Sequence, residues 1–215
     1  MPEPRPRNPD SLFFRHLDRT GGPRALASAS QRARMLDAMT RAVASKGYAK
    51  VTVSDVVSLA EVSRRTFYEE FTDKEACFVA AYETGSRLVI EDIAGAVRAA
   101  DADDWHERVR VGIECYLATL SAEPDVARVL LVDVLGAGPR AVELRRHVRE
   151  EFAALYAGKE GQVSAPYRRA LVGAISELVQ EHILTAGAAT LDELSPTLVD
   201  LAWTVLAASQ GARTR

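Results

Sequence analysis

The chain of 215 residues is 47% hydrophobic and 27% charged, enough to bury a sizeable core and build one or two soluble domains. No apolar run approaches the roughly 18 residues of a membrane span, and the opening MPEPRPRNPDSLFF lacks the continuous apolar stretch of a secretory signal, so a cytoplasmic protein that spans no membrane is expected. The net charge of -3 argues against a wholly basic nucleic-acid binder, but residues 1–80 hold 13 Lys+Arg against 10 Asp+Glu while residues 81–215 hold 14 against 20, so a modestly basic front precedes an acidic back.

Helix signals dominate in chain order and strand signals are nearly absent. A Pro/Gly/Arg-rich arm, expected to be flexible, comes first; its arginines, Arg5, Arg7, Arg15, Arg19 and Arg24, could enter a minor groove. Met35, Met39 and Val43 then step by four, with Leu36 and Ala42 widening the stripe, and Lys46 with Gly47 closes this amphipathic helix. Thr52 with Asp55 three residues on reads as a capping box for a second, short helix. Ser63 can cap a third from Arg64 to Phe71, and Thr72 with Glu75 a fourth that runs on to about residue 100. Further helices are expected over 103–121, from Pro124 through VARVLLVDVL, from Pro139 to about residue 158, over 165–187 and over 195–211. The last two are apolar on more than one side, more than a surface helix needs.

The stretch VSRRTFYEEF, residues 62–71, carries the chemistry. Phe67 and Phe71 share a face that should pack against Val53, Val56 and Val57 of the preceding helix, which leaves Arg64, Arg65, Thr66 and Tyr68 on other faces. Two short helices joined by Glu61-Val62-Ser63 form a helix-turn-helix, whose second helix lays its first residues on base edges in the major groove. The arginine fork matches guanine O6 and N7, and threonine meets an acceptor or a thymine methyl.

Residues 35–82 resemble the N-terminal domain of TetR-type transcriptional regulators. The points of agreement are an amphipathic helix ending in Lys-Gly-Tyr, a Thr-Val helix start, Ala-x-Val-Ser at the turn, Thr-Phe-Tyr-x-x-Phe, and an Asp-Lys-Glu helix start. The resemblance implies an all-α fold with an N-terminal three-helix helix-turn-helix DNA-binding domain at 28–78, after a flexible arm at 1–27, and a larger helical effector-binding and dimerisation domain at 79–215. It implies a homodimer that binds a double-stranded, near-palindromic operator and releases it when a small-molecule effector enters. By position, Thr52, Ser54, Ser63, Tyr68 and Lys74 would hold phosphates while Arg64, Arg65 and Thr66 face bases. The chain departs from the family at Glu61, where glycine is usual, at Val57, where alanine is usual, and at Glu69 and Glu70, where basic or neutral residues are common. Solvent exposure or pairing with nearby Arg or Lys would accommodate the two acids; accepting from cytosine N4 is the alternative.

Beyond residue 100 the signals are weaker. Trp105, Val109, Tyr116, Tyr167 and Trp203 are candidate lining of an effector pocket, with helical core as the plainer reading. Arg145, Arg146 and Arg149 beside Glu143, Glu150 and Glu151 read as a salt-bridged surface or an anionic-ligand site. His106, His147 and His182 have no partner at metal-ligand spacing, and Cys77 and Cys115 read as buried hydrophobes, so no metal and no cofactor are expected. With no G-x-S-x-G, P-loop, H-E-x-x-H or Rossmann glycine run, neither is catalysis.

Overall fold

The computed structural model describes residues 11–15, 23–100, 104–157 and 163–211, and these contain ten α-helices and no strand. They are α1 (Leu12–Arg15), α2 (Pro23–Lys46), α3 (Val53–Ala60), α4 (Arg64–Glu70), α5 (Lys74–Ala99), α6 (Trp105–Ala122), α7 (Pro124–Leu131), α8 (Pro139–Ala154), α9 (Ala165–Thr185) and α10 (Ser195–Gly211). The chain divides into two compact units, one formed by residues up to Leu88 with Arg128–Leu144 and the other by Val89–Ala127 with Arg145 onward.

In the first unit, α2 buries the stripe its spacing predicts: Met35, Leu36, Met39, Ala42 and Val43 are all removed from solvent. Arg41 reaches Asp37 one turn earlier at 3.2 Å inside this unit, so neither charge is buried alone. Gly47, with φ of 77°, ends the helix in a conformation an L side chain resists. Both expected caps form. The Thr52 hydroxyl accepts from the Asp55 amide while the Asp55 carboxylate accepts from the Thr52 amide, and the Ser63 hydroxyl accepts from the Thr66 amide. Phe67 and Phe71 are buried with ring centroids 5.6 Å apart.

One local expectation needs correction. The cap of α5 is Asp73 rather than Thr72: Asp73 Oδ1 accepts from the Ala76 amide at 2.7 Å, because an ionised carboxylate one residue before Lys74 out-competes a hydroxyl two residues before it. Within the N-terminal arm the described residues Leu12–Arg15 form α1. Leu12, Phe13 and Phe14 are buried in α1, which packs on α2, and α2 itself starts at Pro23. Three apolar side chains in a row have more to gain from α2 than from water. Arg5, Arg7 and Arg19 lie outside the described residues, as does the side chain of Arg24. The run after Pro124 leaves the α-helix at Leu131, and in the first unit a 3-10 turn, Asp133–Gly136, packs near a second such turn at Tyr48–Lys50.

In the second unit, α6 is capped by Asp104, which accepts from the His106 amide, and buries Val109, Ile113, Leu117 and Leu120 against α10 and the turn Ala188–Leu194. Val109, Ile113 and Leu117, four residues apart, thus share one face of the helix and form its core edge. Helix α9 buries Leu171, Val172, Ile175, Val179 and Ile183, and packs on α10.

Candidate nucleic-acid interface

The candidate reading head is α3, the turn and α4. Glu61 takes the left-handed conformation, φ 55° and ψ 46°, which closes α3 and sends the chain into the Ser63 cap. The Glu61 carbonyl accepts from Arg34 at 3.5 Å, one tie of the strained turn to α2. Ser63, Arg64 and Arg65 are exposed on the first turn of α4, Thr66 is half-buried, and Tyr68 is 54% exposed with its ring edge against Phe67. Thr52 and Ser54 are exposed at the start of α3.

The partners of these side chains separate them into ready and occupied groups. Arg64 has no hydrogen bond or ion pair among the described residues. Arg65 Nε donates to Glu69 Oε1 at 2.9 Å across one helical turn, with both side chains largely in water, where such pairs are worth roughly 0.3–0.5 kcal/mol and exchange readily. Ser63 and Thr66 share a hydroxyl hydrogen bond of 2.9 Å in addition to the cap. Glu70 is turned inward rather than outward, taking Arg32 and the Ser28 hydroxyl, both at 3.3 Å. Pairing with nearby basic residues therefore accounts for both acids on α4, and their repulsion of phosphate is partly neutralised on the spot.

Lys74 is the most constrained of the eight. Its Nζ donates to the carbonyls of Tyr48 at 3.2 Å and Val51 at 3.0 Å and lies 4.5 Å from the centroid of the Tyr48 ring, whose other neighbour is Phe78. An ammonium has three donors, so one stays available beside Thr52, the residue after Val51. Tyr48 and Lys46 are members of this site that the spacing of the sequence does not single out. Lys46 Nζ pairs with Asp55 Oδ2 at 2.6 Å and so braces the capping box. Burial opposes ionisation of Asp55, yet the hydrogen bonds from Lys46 and from the Thr52 hydroxyl and amide outweigh it and hold the carboxyl below its ordinary range.

The five candidate effector residues all belong to the second unit. Val109 is buried in the core of α6, and the other four are half-buried. Tyr116 meets Phe152 edge-on with centroids 5.9 Å apart, whereas Trp203 stacks on His106 at 3.9 Å, so Tyr116 and Trp203 take separate partners. His106, unremarked by motif, is thus an aromatic neighbour. Among the described residues no three His, Cys, Asp or Glu side chains are placed to hold a metal, and no helix is long and apolar enough to cross a membrane.

Residues 35–81 match the model of the family described as bacterial regulatory proteins, tetR family. No curated protein matches the sequence. Among solved structures, the chain is similar to the fatty acid degradation regulator FadR from Bacillus halodurans, with a TM-score of 0.73 and 18% identity over 86% of this chain and 96% of that one. It is similar to the transcriptional regulator FadR from Bacillus subtilis in complex with stearoyl-CoA, with a TM-score of 0.69 and 19% identity over 79% and 96%. A TetR-like transcriptional regulator from Rhodococcus sp. RHA1 gives a TM-score of 0.62 and 22% identity over 87% and 99%.

Proposed function

From a chain that has the TetR-type regulator fold and a tetR-family match over residues 35–81, we propose a sequence-specific DNA-binding regulator of transcription that acts as a repressor. The observation that carries this reading is the first turn of α4: Ser63 caps it, and Arg64 and Arg65 stand exposed on it with nothing stronger than a surface ion pair to hold them. Two arginine forks at the start of a helix, flanked by the hydroxyls of Thr52, Ser54, Ser63 and Tyr68 and by the Lys74 ammonium, supply base readers inside a frame of phosphate donors.

A homodimer fits the same reading, since two such heads about 34–36 Å apart would read successive major grooves of a palindrome. The exposed Leu184 on α9 and the half-buried Val199, Leu201 and Val205 on α10 support pairing of the last two helices with their copies. A small-molecule effector bound in the second unit would release the operator, acting in the cytoplasm with no cofactor, no catalysis and no membrane. That the similar Bacillus subtilis FadR is in complex with stearoyl-CoA makes long-chain acyl thioesters a reasonable first set of effectors to try.

The testing experiment is selection of bound sequences from a random DNA pool, followed by affinity for the winners across salt. A palindromic consensus with half-sites one turn apart is expected. Weak, sequence-independent binding erased by salt would overturn the reading in favour of a helical ligand-binding or partner-binding protein. Footprints of the consensus relative to promoters then separate a repressor from an activator.

A further inference from the structure

The second unit holds guanidinium groups that its own described carboxylates do not neutralise. Arg110 is gripped by Glu107 and Glu114, and Arg169 Nε lies 2.8 Å from Glu150. Arg149, one residue before Glu150 on α8, has no hydrogen bond or ion pair among the described residues although its side chain is half-buried. Its Nη2 rests against the backbone of Gly173 on α9, so close that a Cβ at 173 would stand 2.9 Å from it. On the same helix Arg168 is half-buried, and its Nε is shielded from solvent with no hydrogen-bond partner. A guanidinium drawn out of water without an anion is costly, and its flat fork is made for carboxylate, sulfonate or phosphate oxygens. Three residues beyond Arg149, on the same face of α8, Phe152 meets the ring of Tyr116 from α6.

We infer that the second unit takes an organic anion whose head is paired by Arg149 beside Gly173, and whose apolar or aromatic body lies against Phe152 and Tyr116. This names the chemical class of the effector and rests on the reading of the second unit as the effector-binding part. Of the two roles the sequence leaves open for the basic face of α8, Glu150 with Arg169 takes the salt-bridged surface and Arg149 the anionic-ligand site.

The test uses the full chain and two fluorescent probes of similar body: 8-anilinonaphthalene-1-sulfonate, an aromatic anion, and N-phenyl-1-naphthylamine, its neutral counterpart. The sulfonate is expected to bind saturably and more tightly than the amine. Arg149→Gln should weaken the sulfonate by about tenfold or more, the loss of a charge-assisted pair, and leave the amine unchanged; Arg149→Lys should restore part of the loss. Gly173→Ala should weaken the sulfonate too, because its methyl displaces only the flexible end of Arg149 and leaves the helix intact, which keeps the test decisive if Arg149→Gln folds poorly. Arg140→Gln, on the exposed start of α8, should change nothing.

Absence of saturable sulfonate binding, equal binding of both probes, or indifference to Arg149→Gln and Gly173→Ala would each overturn the inference. Arg149-dependent binding in a protein that selects no DNA sequence would sustain the anion site while the proposed function falls. Arg149-dependent binding that leaves operator affinity unchanged would sustain the site and remove its role as the switch.

Discussion

Under the proposed function, Arg64 and Arg65 differ in what they would give up on meeting DNA. Arg64 has no partner among the described residues to lose, and Arg65 leaves only Glu69 in a pair open to water. Replacing either with alanine is expected to cost about 1–3 kcal/mol of operator affinity and to relax preference at the contacted base, read by competition binding against single-base operator variants. A uniform loss across all sequences would instead place that arginine on phosphate. Glu61 offers a test of stability rather than binding. Its φ of 55° costs a residue with a Cβ on the order of 1 kcal/mol, so Glu61→Gly should raise the melting temperature by about 2–4 °C in a chain of this size. No increase would mean that the glutamate side chain makes a compensating contact.

Asp133 carries a pH dependence of definite sign. Burial pushes its carboxyl up to about 6, and Arg128, whose Nε approaches Oδ2 at 3.3 Å without hydrogen-bond geometry, opposes this only in part. The unfolded carboxyl titrates near roughly 3.9, so between these values the folded chain holds a proton that the unfolded chain lacks. This group's contribution to stability therefore grows as pH falls through about 6 and is complete below about 4. The melting temperature of the wild type minus that of Asp133→Asn should rise from pH 7.5 to 4.5; a flat difference would show that the group titrates alike in both states.

At the scale of elements, helices whose signal lies within a few residues are legible in the sequence. The α3 capping box, the Ser63 cap, Gly47 as a stop and the continuous α5 all depend on contacts three or four residues apart, and each forms where the spacing puts it. The α5 cap falls to Asp73 rather than Thr72 because a carboxylate directly before Lys74 out-competes a hydroxyl one residue earlier, a contest that spacing alone does not rank. Helix α1 was lost because a four-residue helix has too little local hydrogen bonding to announce itself. Its order comes from Leu12, Phe13 and Phe14 packing on α2. Phe13→Ala is expected to cost about 2–4 kcal/mol in urea denaturation, and a cost near zero would show α1 to be dispensable to the unit.

For the molecule as a whole, the expected stoichiometry on operator DNA is two chains per palindrome, and sedimentation of the complex checks it. Because the proposed interface brings the cations Lys74, Arg64 and Arg65 to the DNA, affinity should fall with salt, and Lys74→Gln should reduce that slope by about one unit while sequence preference survives. Lys74→Gln should also lower stability, since its ammonium joins the carbonyls of Tyr48 and Val51. A variant equally stable but poorer at DNA would mean that phosphate is its main partner.

The sequence by itself determined the helical class and the order and caps of the helices in the head, because each follows from a repeat of 3.6 residues or from a cap that spans three. What only the tertiary structure decided are the encounters between distant residues: Lys74 on the Tyr48 and Val51 carbonyls, Glu70 turned to Arg32, Trp203 on His106, and Arg149 laid over Gly173. Such pairs are set by how whole helices settle against one another to bury their apolar faces, and no periodicity along one helix records which residue of another it will meet.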